Sequence, residues 1–194
     1  MRYYRFLSKS SATNSAPTVT SAQIAEVLDI DATQVRKDFA SIGLRGMGKV
    51  GFDVFEVCRS IRIVLGFDKQ YEAVLVGAGQ LGSALLAYSG FETYGLNFVA
   101  AFDNDKNKIG QKITDCKIRP MKGMKPFVKS RMIRLAILTT PADVSQKLVD
   151  RLVAAGVKAI WNFTPTLLTA PPSVLVRDEH ISLGLSEIIH HLKE

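Results

Sequence analysis

Residues 77–82 read Gly-Ala-Gly-Gln-Leu-Gly and stand between an apolar run, Glu72-Ala73-Val74-Leu75-Val76, and a helix-like stretch, Ser83-Ala84-Leu85-Leu86-Ala87-Tyr88. Three glycines at this spacing between a strand and a helix are compatible with few folds. Gly77 permits the tight turn, Gly79 lets a pyrophosphate approach the backbone, and Gly82 lets the helix pack on the strand. Amides at the helix start carry partial positive charge and hold phosphate. A lone G-x-G-x-x-G is a weak signal, but here its second half is present. The run Phe98-Val99-Ala100-Ala101-Phe102 ends in Asp103, about 20 residues beyond Gly82. A carboxylate there accepts hydrogen bonds from ribose hydroxyls and repels a 2′-phosphate. Residues 71–103 therefore read as a dinucleotide-binding βαβ unit, with NAD(H) favoured over NADP(H). Gly77, Ala78, Gly79, Gln80, Leu81, Gly82 and Asp103 are its candidate cofactor-binding residues. A structural glycine-rich turn, or a site for another nucleotide such as coenzyme A, is the competing reading.

The rest of the C-terminal two thirds agrees with this unit. β-rich runs at 73–76, 98–102, 135–139 and 159–162 alternate with helical stretches, which predicts a parallel α/β sheet. Thr139, Thr140 and Pro141, with Pro141 in the first turn of a helix, fall at the carboxyl edge of that sheet, where ligands bind. Asn162 and Phe163 fall on the same edge, although each of these residues also suits a purely local role. A strand-like run follows at 174–177, and a helix around 183–192. No Lys–Tyr pair, no well-placed His and no substrate domain stands beside the nucleotide site. A dehydrogenase needs an acid or base near its hydride acceptor. The pattern reads as a sensor.

Before Gly66 the texture is helical. Residues 8–20 are rich in Ser, Thr and Asn and read as a loop after a short first helix. Thr20 and Gln23 fit a capping box, and Asp31 and Gln34 fit a second one. The two helices they start are joined at Asp29-Ile30, as in a helix-turn-helix. On the second helix Val35, Phe39 and Ile42 form the buried stripe, which turns Thr33, Gln34, Arg36 and Lys37 outward. Asp53 and Glu56 begin a third helix, with Val57, Ile61 and Val64 inward and Gly66 at its end. Between them Gly43, Gly46, Gly48 and Gly51 alternate with Arg45 and Lys49, suggesting a hairpin flanked by short strands. A hairpin behind a helix-turn-helix makes a winged helix, which binds DNA or serves as a dimerisation unit.

The 194 residues carry a formal charge of +7, with 47% apolar and 22% charged side chains. That balance suits a globular protein and permits, without requiring, a nucleic-acid partner. Cys58 and Cys116 are far apart, and His180, His190 and His191 all lie near the C-terminus. Neither a disulfide framework nor a zinc site is expected. The N-terminal residues are too polar for a signal peptide, and no apolar run reaches the ~18 residues that span a bilayer. A cytoplasmic protein with no membrane partner is expected.

Taken together, these segments resemble the Rex family of bacterial redox-sensing transcriptional repressors. The pieces that carry the resemblance are Ala32-Thr33-Gln34-Val35-Arg36-Lys37-Asp38-Phe39, Val76-Gly77-Ala78-Gly79-Gln80-Leu81-Gly82, Val99-Ala100-Ala101-Phe102-Asp103 and Asn162-Phe163-Thr164-Pro165. The resemblance implies a winged helix-turn-helix over residues 1–66, a Rossmann NAD(H)-binding domain over 67–178 and a C-terminal helix over 179–194 that swaps between the subunits of a homodimer. It implies NADH and NAD+ as effectors, no catalysis, and a palindromic operator left when NADH binds. Thr33, Gln34, Arg36, Lys37, Arg45 and Lys49 are then the DNA-binding set. The family also links an Arg of its first helix, a Tyr after the glycine-rich helix and an acidic residue before the last helix. Arg5 and Tyr88 match the first two, whereas His180 stands at the third. The wing departs too, with Gly48 and Lys49 in place of adjacent bases and Phe52 in place of the usual Tyr. A small NAD-dependent oxidoreductase and a coenzyme A-type nucleotide-binding module are the alternative functions.

Overall fold

The computed structural model describes residues 1–12, 17–179 and 181–193. The chain divides into two compact units, Met1–Lys69 and Gln70–Glu194.

The first unit is helical. Helix α1 (Arg2–Ala12) precedes a short strand β1 (Thr18–Val19), then α2 (Ser21–Leu28) and α3 (Ala32–Ser41). Strand β2 (Phe52–Asp53) leads directly into α4 (Val54–Leu65). The predicted capping box at α2 is complete, since Thr20 accepts the Gln23 N–H and the Gln23 side chain returns to the Thr20 backbone. At α3 only half of the second box forms. Asp31 accepts from the Thr33 and Gln34 backbone, but the Gln34 amide goes to Asp38 instead. Asp29 closes α2 in the left-handed conformation, with φ 50°. Leu7, Ile24, Val35, Phe39, Phe52, Val57 and Ile61 fill the core of the unit.

Four expectations need correction here. Residues 8–12, read as loop, continue α1, because the apolar stripe of its first two turns anchors a serine-rich tail that has no glycine or proline to stop it. The segment around Met47 makes no hairpin with strands of its own. A 3-10 turn (Gly48–Val50) is closed by Met47 N–H donating to Gly51 O, and β2 pairs antiparallel with β1 from ahead of the helix-turn-helix. Gly51 sits at φ 96°, where a Cβ would lie 2.4 Å from Val19 O, so this pairing requires glycine. Val64 is exposed rather than inward, because it lies at the edge of the buried stripe in the last turn of α4; Val54 and Cys58 are buried instead. Ile42 ends α3 only partly buried, and Leu44 completes the stripe.

The second unit is a seven-stranded sheet. Its strands are β3 (Tyr71–Val76), β4 (Leu96–Asp103), β5 (Lys112–Ile113), β6 (Cys116–Pro120), β7 (Leu135–Leu138), β8 (Ala159–Asn162) and β9 (Leu175–Asp178). They lie in the order β5-β6-β4-β3-β7-β8-β9, parallel except for β5, which pairs antiparallel with β6. Helices α5 (Gln80–Ala87), α6 (Met124–Ser130) and α7 (Ala142–Val153) connect them, and α8 (Ile181–His191) closes the chain. The period-2 alternation of β3 divides the core. Val74 and Val76 pack with Phe102, Leu138 and the α6–α7 side, whereas Ala73 and Leu75 pack with Ala101, Ile137 and Leu86 of α5. Strand order reverses at β3 and β7, the topological switch point at which such sheets bind ligands.

Candidate functional site

At the switch point the glycines of the turn divide their tasks. Gly77 follows β3 at φ 101°, where a Cβ would lie 2.7 Å from Thr139 O. A Cβ on Gly82 would lie 2.1 Å from Gly77 O, which itself accepts the Thr139 hydroxyl at 2.6 Å. These two glycines thus allow β3, α5 and the end of β7 to close on one another. Gly79 differs, because a Cβ there meets nothing within 4 Å. It is the N-cap of α5 and has no side-chain cap, which leaves first-turn amides for an acceptor from outside. Open space over uncapped amides fits a pyrophosphate.

Asp103 ends β4 beside this turn. Its Oδ2 accepts the Ala78 N–H at 2.7 Å and its Oδ1 accepts the Asp105 N–H at 2.8 Å. Two backbone donors orient the carboxylate, and each oxygen keeps a second lone pair for a ribose hydroxyl. Lys108, which the sequence pattern did not single out, holds its Nζ 3.8 Å from Asp103 Oδ2 and 3.8 Å from Asp105 Oδ2.

Across the edge, the Ser145 hydroxyl donates to Pro141 O at 2.7 Å, so Thr140 is the donor in its 3.0 Å contact with Ser145 Oγ. Pro141 is the N-cap of α7, one residue ahead of the expected first helical position. Asn162 is buried and fully engaged. Its Nδ2 donates to Thr166 O and Asp178 Oδ1, and its Oδ1 accepts from the backbone and hydroxyl of Thr164. It shapes the loop after β8, and Phe163 lies half-buried against Trp161 at 4.9 Å between centroids.

Of the three residues expected to form a redox switch, Arg5 is exposed on α1, and Tyr88 is exposed with its ring edge-on to Phe91. His180 lies outside the described residues. The acidic residues just before it already have partners: Asp178 accepts from Asn162, and Glu179 accepts the Trp161 indole N–H at 3.2 Å.

In the first unit α3 exposes Thr33, Gln34, Arg36 and Lys37, as its periodicity predicts. The Arg36 guanidinium donates to Ser21 Oγ at 3.0 Å and Thr33 Oγ1 at 3.1 Å, next to the start of α2. Hydrogen bonds from Thr33 and Gln34 hold the Asp31 carboxyl below the usual carboxylate range, so the α3 cap stays ionised. A cleft of about 510 Å³ runs between α3 and the glycine-rich loop, lined by Thr20, Ser21, Arg36, Arg45, Gly48 and Phe52. Arg45 is exposed on that loop. Lys49 belongs to the 3-10 turn, and its side chain lies outside the described residues. Missed by pattern reading are Tyr3 and Asp38, which bond to each other at 2.6 Å behind Gln34; the four-residue spacing of Gln34 and Asp38 was the available signal.

Residues 68–166 match the family described as "CoA binding domain", and residues 1–40 match "Putative DNA-binding protein N-terminus". The redox-sensing transcriptional repressor Rex of Carboxydothermus hydrogenoformans is 39% identical over 91% of this chain and 85% of its own length. The Rex of Treponema denticola is 39% identical over 93% of this chain and 86% of its own. Among solved structures, a crystal structure of RSP in complex with beta-NAD+ and operator DNA superposes with a TM-score of 0.89. It is 34% identical and covers 98% of this chain and 88% of its own. A crystal structure of RSP in complex with beta-NADH gives a TM-score of 0.85 at 33% identity, covering 98% of this chain and 89% of its own.

Proposed function

The chain belongs to the Rex family of redox-sensing transcriptional repressors, and we propose that it binds a palindromic operator as a homodimer and releases it when NADH occupies the turn at Gly79. It is a regulator rather than an enzyme, as its relatives are named. The observation that carries this reading is the pairing, in one chain, of an exposed α3 face and an open, uncapped glycine turn beside an oriented Asp103.

Thr33, Gln34, Arg36 and Lys37 meet the major groove or its phosphates, and two-fold symmetry places two such helices one DNA turn apart. Arg45 and Lys49 lie toward the minor groove, where narrow A·T-rich stretches attract cations. The nucleotide pyrophosphate sits on the start of α5, and Asp103 takes the adenosine ribose. Thr139, Thr140, Pro141 and Phe163 border the nicotinamide end, in a loop that Asn162 holds. Arg5, Tyr88 and His180 couple the two states.

Release requires that NADH bind the DNA-incompetent dimer more tightly than the DNA-bound one, since equal affinity shifts nothing. A neutral reduced nicotinamide is buried at lower cost than the charged oxidised ring. Exposed Leu185, Ile188 and Ile189 on α8 supply the apolar face through which two chains join. No helix among the described residues is long and apolar enough to cross a membrane, which accords with a cytoplasmic regulator.

The test titrates a labelled palindromic duplex with the full chain and then adds NADH or NAD+. NADH is expected to lower the bound fraction at concentrations where NAD+ does so weakly. A bound fraction that neither nucleotide changes at any concentration rejects the sensing function.

A further inference from the structure

Residues 112–134 hold eight Lys and Arg against a single acid, Asp115. That excess equals the formal charge of the whole chain, +7, so in the rest of the sequence the two signs balance. All eight side chains are exposed. Among the described residues only Arg131 of the eight meets a carboxylate, that of Glu72 at 2.7 Å.

The fold gathers these charges. Lys112 of β5 stands directly opposite Lys117 of β6, and Ile113 opposite Cys116. Cys116 and Ile118 are buried in the core on the α5 side, so Lys117 and Arg119 alternate outward on the face that Lys112 shares. The Arg119 guanidinium lies 4.8 Å from the centre of the Phe127 ring and that of Arg131 5.8 Å, which carries the charged surface on to α6. Lys125 and Lys129 stand exposed one turn apart on that helix.

Like charges directly opposite on a sheet cost stability, so the fold gains nothing from Lys112 facing Lys117. A bound polyanion does gain. A protein partner requires an apolar, aromatic-rich centre depleted of lysine. Within 112–134 the one exposed large apolar side chain is Met132. A phosphate backbone asks only for cations. We propose that this face of the second unit is a sequence-independent surface for duplex DNA, additional to α3 and held through phosphates. A chain already on its operator thereby keeps affinity for DNA of any sequence. The choice of DNA as the polyanion rests on the operator binding proposed above.

The experiment saturates the full-length protein with a short palindromic duplex and then titrates in a second, labelled duplex of unrelated sequence. The wild type is expected to take up the second duplex with an affinity that falls steeply with salt. K117A is expected to lower the salt slope by about one, and K112Q/K117Q by about two with an affinity loss of about tenfold or more at low salt. K112E sets a carboxylate opposite Lys117, so it is expected to raise the melting temperature while weakening uptake of the second duplex. Palindrome and NADH binding are expected to stay unchanged in all three variants. A wild type that binds no palindromic duplex overturns the operator reading, and this inference with it. A palindrome-bound wild type that takes up no second duplex, or does so with a slope and affinity unaltered in K112Q/K117Q, overturns the inference alone. Polyglutamate that displaces the second duplex at equal charge concentration also overturns it, by assigning the face to an acidic protein.

Discussion

The carboxylate of Asp103 accepts the backbone N–H of Ala78 at 2.7 Å, tying the end of β4 to the turn that follows β3. On the proposed placement of the nucleotide, this bond mechanically links the residue that takes the ribose to the turn that takes the pyrophosphate. Asp103→Ala is expected to weaken NADH binding about tenfold or more, because hydrogen bonds to a charged group are lost. It is also expected to narrow the preference for NADH over NADPH, since Lys108 then remains near the 2′ position without its carboxylate. Fluorescence titration with both nucleotides checks this, and an equal loss for the two contradicts it.

The glycines predict opposite phenotypes. A Cβ at Gly79 meets no atom within 4 Å, so Gly79→Val is expected to fold normally, fail to bind nucleotide and repress without relief by NADH. At Gly82 a Cβ strikes Gly77 O, so Gly82→Ala is expected to destabilise the second unit by about 2–3 kcal/mol. Thermal melts beside NADH titrations separate the two cases, and NADH binding retained by Gly79→Val misplaces the site.

Arg36→Ala is expected to weaken operator binding and to lower the salt slope by about one phosphate contact. Its partners, the partly exposed Ser21 and the exposed Thr33, return to water at little cost, so melting and NADH affinity are expected to stay unchanged. Loss of both activities in this variant points instead to misfolding.

The thiols are poised against chemistry. Cys58 and Cys116 are both buried and free, and burial pushes Cys116 up to about 11 from an ordinary 9.0. Its raised folded value means that the neutral thiol's contribution to stability is complete below about pH 9 and is lost as pH rises through about 11. Native protein at pH 8 is expected to react slowly with a thiol reagent, and fully once denatured. A mild thiol oxidant that released DNA as NADH does would show that the redox signal is read by sulfur.

What the sequence revealed of this molecule follows the reach of the forces involved. The turn at Gly77–Gly82 was legible because its three glycines fall at short fixed spacing between one strand and the helix that directly follows it. Caps at Thr20 and Asp53 were legible for the same local reason. The pairing of β2 with β1 was hidden, since Phe52 finds Val19 across two intervening helices. The hairpin of β5 and β6 is short and lysine-bearing, so it has no apolar alternation strong enough to announce it. Asn162 looked like a ligand contact because its four protein partners are gathered from Thr164, Thr166 and Asp178. The outward face of α3 was visible from its periodicity, but the Tyr3–Asp38 support behind it joins residues far apart in the chain.

Helix α8 keeps Leu185, Ile188 and Ile189 in water on a single chain. If two chains must meet over that stripe before an operator can be held, gene dosage enters the control. While single chains predominate, pairs accumulate with the square of chain number, so halving expression cuts the supply of binding-competent pairs by about three quarters. A cell carrying this regulator thus sets the threshold of its response by how much of the protein it makes as well as by its nucleotide pool.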